Sequence, residues 1–314
     1  MNTNTTPQYT QLGSTDISIS PIGIGTWAWG DRMVWGYGGK YSDRDLQTVF
    51  DTTLSAGINF FDTAEFYGFG RSEKLLGQFI RKGKKPVVTA TKFMPYPWRL
   101  SRASLSKALQ QSLKRLEMEE VGLYQIHMPL PPISIETWVR AIGQAQKAGL
   151  TKAVGVSNYS LDQTQRAHKI LDDMGVPLAS NQVEYSLINR KIEKTGLLDY
   201  CQQNNITIIA YSPLGMGMLT GKYTPANSPS GIRGRRFNPE FLGQLQALIG
   251  LMREIGQAHG DKTPAQVAIN WAICKGVIPI PGAKNLRQAA ENVGAIGWQL
   301  TADEVNALEH IRRL

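Results

Sequence analysis

Asn59-Phe60-Phe61-Asp62-Thr63-Ala64-Glu65-Phe66-Tyr67-Gly68 begins as an apolar run and ends in a loop. The run reads as a buried strand. It carries a carboxylate, Asp62, to the strand end and a phenol, Tyr67, into the loop that follows. A helical pattern then starts near Arg71-Ser72-Glu73. Strand, loop and helix in that order make one β/α unit, and the chain repeats it. Comparable runs lie at Pro21–Trp27, Val87–Phe93, Gly122–His127, Lys152–Asn158, Ser180–Tyr185, Ile206–Ser212 and Val277–Pro281. They are almost wholly apolar rather than alternating, as parallel strands buried on both faces must be. Eight such units without a break in composition predict an α/β fold, a closed (β/α)8 TIM barrel.

Features outside the repeat fit that frame. Thr10–Ser20 alternates apolar and polar residues around Gly13-Ser14, which predicts an N-terminal β-hairpin ahead of the barrel. Ser42-Asp43-Arg44-Asp45 and Thr301-Ala302-Asp303-Glu304 have the form of capping boxes, and Thr263-Pro264 sets a capping hydroxyl before a first-turn proline. The last box opens a C-terminal extra helix, Asp303–Arg312. Leu105, Leu109, Leu113 and Leu116 form one apolar stripe, either a partner-binding face or the face that packs on the barrel. Leu214–Glu240 is a Gly/Pro-rich connection long enough to fold over a ligand. Residues 1–8 read as a disordered lead and 9–314 as one barrel domain.

Composition bounds the function. The chain has 314 residues, 42% hydrophobic and 19% charged, typical of a globular protein with a large core. Two cysteines, Cys201 and Cys274, give neither a disulfide framework nor metal spacing and point to a reducing, cytoplasmic compartment. No apolar run approaches the roughly 18 residues a membrane span needs, and the polar N-terminus lacks the pattern of a signal peptide. The net charge of +9 is scattered rather than striped, so nucleic acid is not the expected partner. Its one dense run, Arg233-Gly234-Arg235-Arg236, suits a small polyanion or a solvated loop. The four histidines do not cluster in the sequence, and no metal is expected. Gly217–Lys222 is one residue short of a phosphate loop, and Gly23-Ile24-Gly25 lacks the third glycine and the helix of a dinucleotide fingerprint.

Chemistry in such a barrel gathers at the C-terminal strand ends. Three successive ends bring Asp62 with Tyr67, then Lys92, then His127, onto one rim. A phenol with a pKa near 10 holds its proton at neutral pH. A lysine beside it favours the phenolate and is expected to lower that pKa, while a carboxylate holds the lysine. A neutral imidazole can orient a carbonyl oxygen. The set suits protonation of a carbonyl oxygen as a hydride reaches its carbon. Trp29–Tyr41, with Trp35 and Tyr37, reads as an aromatic substrate wall or as a packed surface loop.

The motifs that carry these residues are Gly23-Ile24-Gly25-Thr26-Trp27, Phe61–Gly68, Thr91-Lys92, Gln125-Ile126-His127, Gly155-Val156-Ser157-Asn158, Asn181–Tyr185, Tyr211-Ser212-Pro213-Leu214 and Ile280-Pro281-Gly282-Ala283 with Glu291-Asn292. In this order the sequence resembles the aldo-keto reductases from about Leu12 to Leu308. The resemblance implies a catalytic tetrad of Tyr67, Asp62, Lys92 and His127, with Tyr67 the general acid. It also implies extended binding of NADP(H) without a Rossmann fold. Gly25, Thr26, Trp27 and Asp62 would approach the cofactor from the first two strands. Ser157, Asn158 and Gln182 would hold the carboxamide, and Tyr211 would stack on the nicotinamide. Ser212, Leu214, Gly217 and Lys222 would meet the pyrophosphate. Gly282, Lys284, Gln288, Glu291 and Asn292 would surround the adenosine end, with Lys284 or an arginine of the long loop on the 2′-phosphate. Gln288 stands where some members carry a basic residue. Trp27, Trp35, Tyr67 and His127 would line the substrate pocket.

The expected activity is NADPH-dependent reduction of aldehydes and ketones to alcohols. The same chemistry can run as alcohol or sugar oxidation. The alternative is a nicotinamide-binding, redox-sensing regulatory subunit with little turnover. The sequence sets no oligomeric state and is compatible with a monomer.

Overall fold

The computed structural model describes residues 8–83, 85–229 and 231–311, without the side chains of residues 232 and 233. Nearly all of the expected N-terminal lead and the end of the expected last helix, Arg312, lie outside the described residues.

A two-stranded antiparallel hairpin comes first, β1 (Thr10–Gln11) and β2 (Ser18–Ile19). Eight strands follow: β3 (Gly23–Gly25), β4 (Phe60–Asp62), β5 (Val88–Phe93), β6 (Val121–Ile126), β7 (Thr151–Ser157), β8 (Leu178–Glu184), β9 (Thr207–Tyr211) and β10 (Ile278–Pro279). Each pairs in parallel with the next, in sequence order. A parallel bridge between Gly25 and Gly282, with the Gly25 amide donating to the Pro281 carbonyl at 3.2 Å, joins the two edges. The expected (β/α)8 barrel is present. Its strands are mostly shorter than the apolar runs that signal them, because those runs extend into buried loops.

The apolar residues divide into two cores. Leu12, Ile19, Phe60, Ala90, Leu123, Ala153, Ala179, Ile209, Ile278 and Ile280 fill the barrel interior. A larger layer lies between the strands and the surrounding helices. Leu12 and Ile19 belong to the hairpin, so that small element plugs the barrel bottom. The plug depends on Gly13: its backbone has φ +60°, and a Cβ there would come within 2.5 Å of the Ala179 carbonyl oxygen. Its amide donates to Thr207 Oγ1 at 2.7 Å.

The helix signals are realised. The Ser42 amide donates to the Asp45 carboxylate at 2.8 Å at the head of the helix Asp43–Ser55. Thr263 accepts from the Gln266 amide before the helix Pro264–Cys274, and Thr301 from the Glu304 amide before the helix Ala302–His310. The leucine stripe of the helix Arg102–Leu116 is fully buried, which decides for packing on the barrel over a partner face. The long connection after β9 is more ordered than its composition suggests. It contains a 3₁₀ stretch, Gly215–Thr220, and a short helix, Gly231–Arg236. Pro239 and Glu240 form the first turn of the helix Pro239–Ala258, capped by Asn238.

Candidate active site

Strands β4 and β5 end side by side, with Asp62 opposite Ala90 in register, and this sets Lys92 beyond Asp62. The Lys92 ammonium is completely buried. It donates to Asp62 Oδ2 at 2.5 Å, to the Thr63 carbonyl at 2.9 Å and to the Tyr67 hydroxyl at 3.1 Å. Its three protons are thereby assigned, one to each acceptor. Asp62 has its other oxygen occupied by amides: Gln182 Nε2 donates to Oδ1 at 2.7 Å and Gln125 Nε2 at 3.3 Å. Gln125 is a site residue whose role the motif did not disclose. It lies on the neighbouring β6, and only the barrel geometry turns its amide onto Asp62.

Burial raises the Tyr67 phenol pKa above its ordinary value; Lys92 opposes this and the Asp62 charge adds to it. The expected lowering is therefore reversed in the free protein, because desolvation of a phenolate outweighs the attraction of the lysine, whose charge Asp62 already compensates. Desolvation also works against the Lys92 charge, but Asp62 and Tyr67 outweigh it and the Lys92 pKa is raised. His127 follows β6. Burial and the Lys92 charge push its pKa down to about 3, so the imidazole is neutral at physiological pH. Its ring meets the Tyr67 ring edge-on, centroids 5.9 Å apart.

The polar shelf across the barrel is equally connected. Asn158, in the left-handed region at φ +61°, accepts from the Tyr211 hydroxyl at 2.9 Å. It also donates to the His127 carbonyl and to Ser157 Oγ, each at 3.1 Å. Ser157 donates to the Gln182 carbonyl at 2.9 Å. The carboxylate is acceptor-only, so it is the Gln182 side-chain NH₂ that faces Asp62. After β9, Ser212, Gly215, Met216 and Gly217 all have φ between +51° and +96°. The Gly215 amide donates to the Ser212 carbonyl at 2.8 Å and the Gly217 amide to the Leu214 carbonyl at 2.9 Å, which makes this stretch a tight turn beside the strand end.

Other expected site residues are arranged more loosely. The Thr26 hydroxyl is spent on the Asp62 carbonyl at 2.9 Å and on Ser72 Oγ at 2.7 Å, so it ties the two strand ends together. Gly282, Lys284, Gln288 and Asn292 cluster beyond β10. Gln288 Oε1 accepts from the Lys284 amide at 2.9 Å, and Asn292 reaches the Gly282 carbonyl at 3.5 Å. Glu291 accepts instead from Thr263 at 3.0 Å. The Lys222 ammonium lies over the Tyr223 ring at 5.4 Å. Trp27 and Trp35 meet edge to face at 5.5 Å, and Trp27 lies 6.3 Å from the Tyr67 ring. Trp35 therefore belongs to an aromatic wall beside the acid. Two supports were not legible in the sequence. Arg99 pairs with the carboxylate of Glu65, just beyond β4. Arg236 bridges to Glu184 at 3.0 Å and ties the short helix to the end of β8. Among the described residues no group of His, Cys, Asp and Glu could hold a metal ion.

The barrel closes between β3 and β10 and carries Asp62, Tyr67, Lys92 and His127 together on its C-terminal rim. The family model described as the aldo/keto reductase family matches residues 21–313, and the chain belongs to that family. It is 44% identical over 308 residues to a chloroplastic pyridoxal reductase of Arabidopsis thaliana, covering 94% of this chain and 83% of that one. An aldo-keto reductase of Bacillus subtilis is 30% identical, covering 95% of this chain and 91% of its own. Among solved structures, a glycerol dehydrogenase of Gluconobacter oxydans superposes with a TM-score of 0.84 at 28% identity, covering 99% and 95% of the two chains. An aldo/keto reductase of Klebsiella pneumoniae, solved with NADP and acetate, gives 0.73 at 27% identity, covering 94% and 92%.

Proposed function

We propose that the protein reduces aldehydes and ketones with NADPH, and that Tyr67 is the general acid. The observation that carries this is the buried Lys92 ammonium shared between Asp62 and the Tyr67 hydroxyl, with neutral His127 against the same phenol. The bound nicotinamide supplies the hydride. Tyr67 gives its proton to the carbonyl oxygen, and Lys92 stabilises the phenolate left behind. His127 donates a hydrogen bond that holds the oxygen in line. Ser157, Asn158 and Gln182 set the carboxamide, Tyr211 offers its ring as the stacking surface, and the turn at Leu214–Gly217 receives the pyrophosphate. Lys284 takes the 2′-phosphate and so favours NADPH over NADH.

For substrate we propose a planar aromatic aldehyde, with pyridoxal first. The relative at 44% identity is named a pyridoxal reductase. The Trp27–Trp35 pair beside Tyr67 offers such a ring a flat apolar wall. The regulatory-subunit alternative draws no support from these relatives, which are named as reductases and oxidoreductases. Residues 9–314 act as one unit in this reading. Both cysteines are free and no helix among the described residues is long and apolar enough to cross a membrane, in keeping with a cytoplasmic setting.

The test is NADPH oxidation against a panel of pyridoxal, aromatic, aliphatic and sugar aldehydes, with NADH as comparison. Tyr67→Phe should lose turnover by at least about a hundredfold, the usual contribution of a positioned acid, while its NADPH dissociation constant stays near wild type. A variant with wild-type turnover would remove Tyr67 from the role.

A further inference from the structure

A chain of ring contacts runs from the far side of the barrel mouth to the acid. The Lys284 ammonium lies 5.0 Å from the centroid of Trp35 and 5.5 Å from that of Tyr41. Trp35 sets its ring edge to face on Trp27 at 5.5 Å, and Trp27 lies 6.3 Å from Tyr67. Lys284 stands just after Gly282, where the barrel closes. Both rings it faces come from the loop after β3, which is fastened elsewhere. Asp31 Oδ1 accepts from the Val34 amide at 2.7 Å, and the Tyr41 hydroxyl donates to the Ala28 carbonyl at 2.5 Å. Trp29 Nε1 donates to the Ala283 carbonyl at 3.0 Å and holds the root of the loop against the Lys284 segment. Lys284 is thus a cationic contact between the cofactor-side segment and the substrate-side loop.

We propose that Lys284 and Trp35 together are specificity-determining residues: Lys284 sets the Trp35 ring, and a 2′-phosphate on the cofactor is thereby sensed at the substrate wall. This rests on the cofactor reading above. A phosphate offers the ammonium charge-assisted hydrogen bonds, which compete with its attraction to the ring faces. The ammonium therefore turns from the rings toward the phosphate. Trp35 resettles on Trp27, and the wall beside Tyr67 takes its working form only when the phosphate is present. Preference for NADPH and affinity for the carbonyl substrate are then one linked property.

The linkage can be read without catalysis. Adenosine 2′,5′-bisphosphate, titrated into the protein with binding followed by calorimetry, should change the tryptophan emission. Adenosine 5′-monophosphate at matched occupancy should not. Trp35→Phe should bind the bisphosphate with the same calorimetric signature and lose the emission change. Lys284→Met, at concentrations where calorimetry shows it occupied, should lose it too. The same change with the monophosphate, its persistence in Trp35→Phe, or no change in the wild type would each overturn the proposal. In the enzyme, the KM for an aromatic aldehyde should be about two- to fivefold higher at saturating NADH than at saturating NADPH, the worth of one cation–π contact, and Lys284→Met should abolish that difference. A difference that persists in Lys284→Met would count against coupling. Absence of turnover with every aldehyde would remove the proposed function, while the emission result would still decide the linkage.

Discussion

His127 shows how far one residue's setting departs from its chemistry in water. The imidazole titrates near 6.5 when exposed and near 3 in the fold, because burial and the Lys92 charge both disfavour its protonated form. Two outcomes follow. No inflection in the rate between about pH 5 and pH 8 should come from His127. Between pH 6.5 and 3 the unfolded chain takes up a proton at this position that the folded chain refuses. Stability therefore falls as pH drops through that window, by up to about tenfold in the folding equilibrium per pH unit. Replacing His127 with Asn should flatten the acid limb of a denaturation-against-pH series measured at constant ionic strength. A limb of unchanged slope would assign the acid sensitivity elsewhere. Tyr67 makes a related point. Proximity to a lysine, legible from strand order, argues for a lowered pKa; burial, which strand order does not quantify, reverses the net direction.

At the level of elements, the hairpin has an importance that its two short strands conceal. Leu12 and Ile19 complete the interior core, and the turn at Gly13 lies flush on β8. Gly13→Ala meets both a left-handed backbone and the Ala179 carbonyl. It should destabilise the fold by about 1–3 kcal/mol, visible as a lower Tm with little change in kcat, since the plug is at the opposite end from the site. An equal loss of kcat and Tm would mean that the plug and the rim are coupled. The connection after β9 illustrates the reverse difficulty. Its Gly and Pro content reads as loop, yet Asn238 caps a helix starting at Pro239, and Arg236 anchors the preceding turn to Glu184. The second interaction joins residues far apart in sequence and leaves no local pattern.

Across the whole molecule the excess of positive charge is a property of the field, not of any one site. At +9 the protein attracts a polyanionic nucleotide before contact, and salt screens that attraction over roughly 8–10 Å at physiological strength. The association rate constant for NADPH should fall as ionic strength rises, with a smaller change in the dissociation rate constant, as stopped-flow fluorescence would show. A salt-insensitive association would leave Lys284 and its neighbours as purely local determinants.

The order of elements and the meeting of Asp62, Tyr67, Lys92 and His127 on one rim were legible in the sequence. Apolar runs of strand length, each followed by an amphipathic helix, admit few architectures, and a side chain at a strand end has its place set by the backbone. What the tertiary structure alone decided lies across the barrel from strand to strand. The amides of Gln125 and Gln182 converge on Asp62, Arg99 neutralises Glu65, Tyr211 locks Asn158, and Lys284 meets Trp35. Each joins segments dozens to hundreds of residues apart. Local periodicity carries no record of such a pairing; it exists only once closure of the sheet has put the strand ends on one rim.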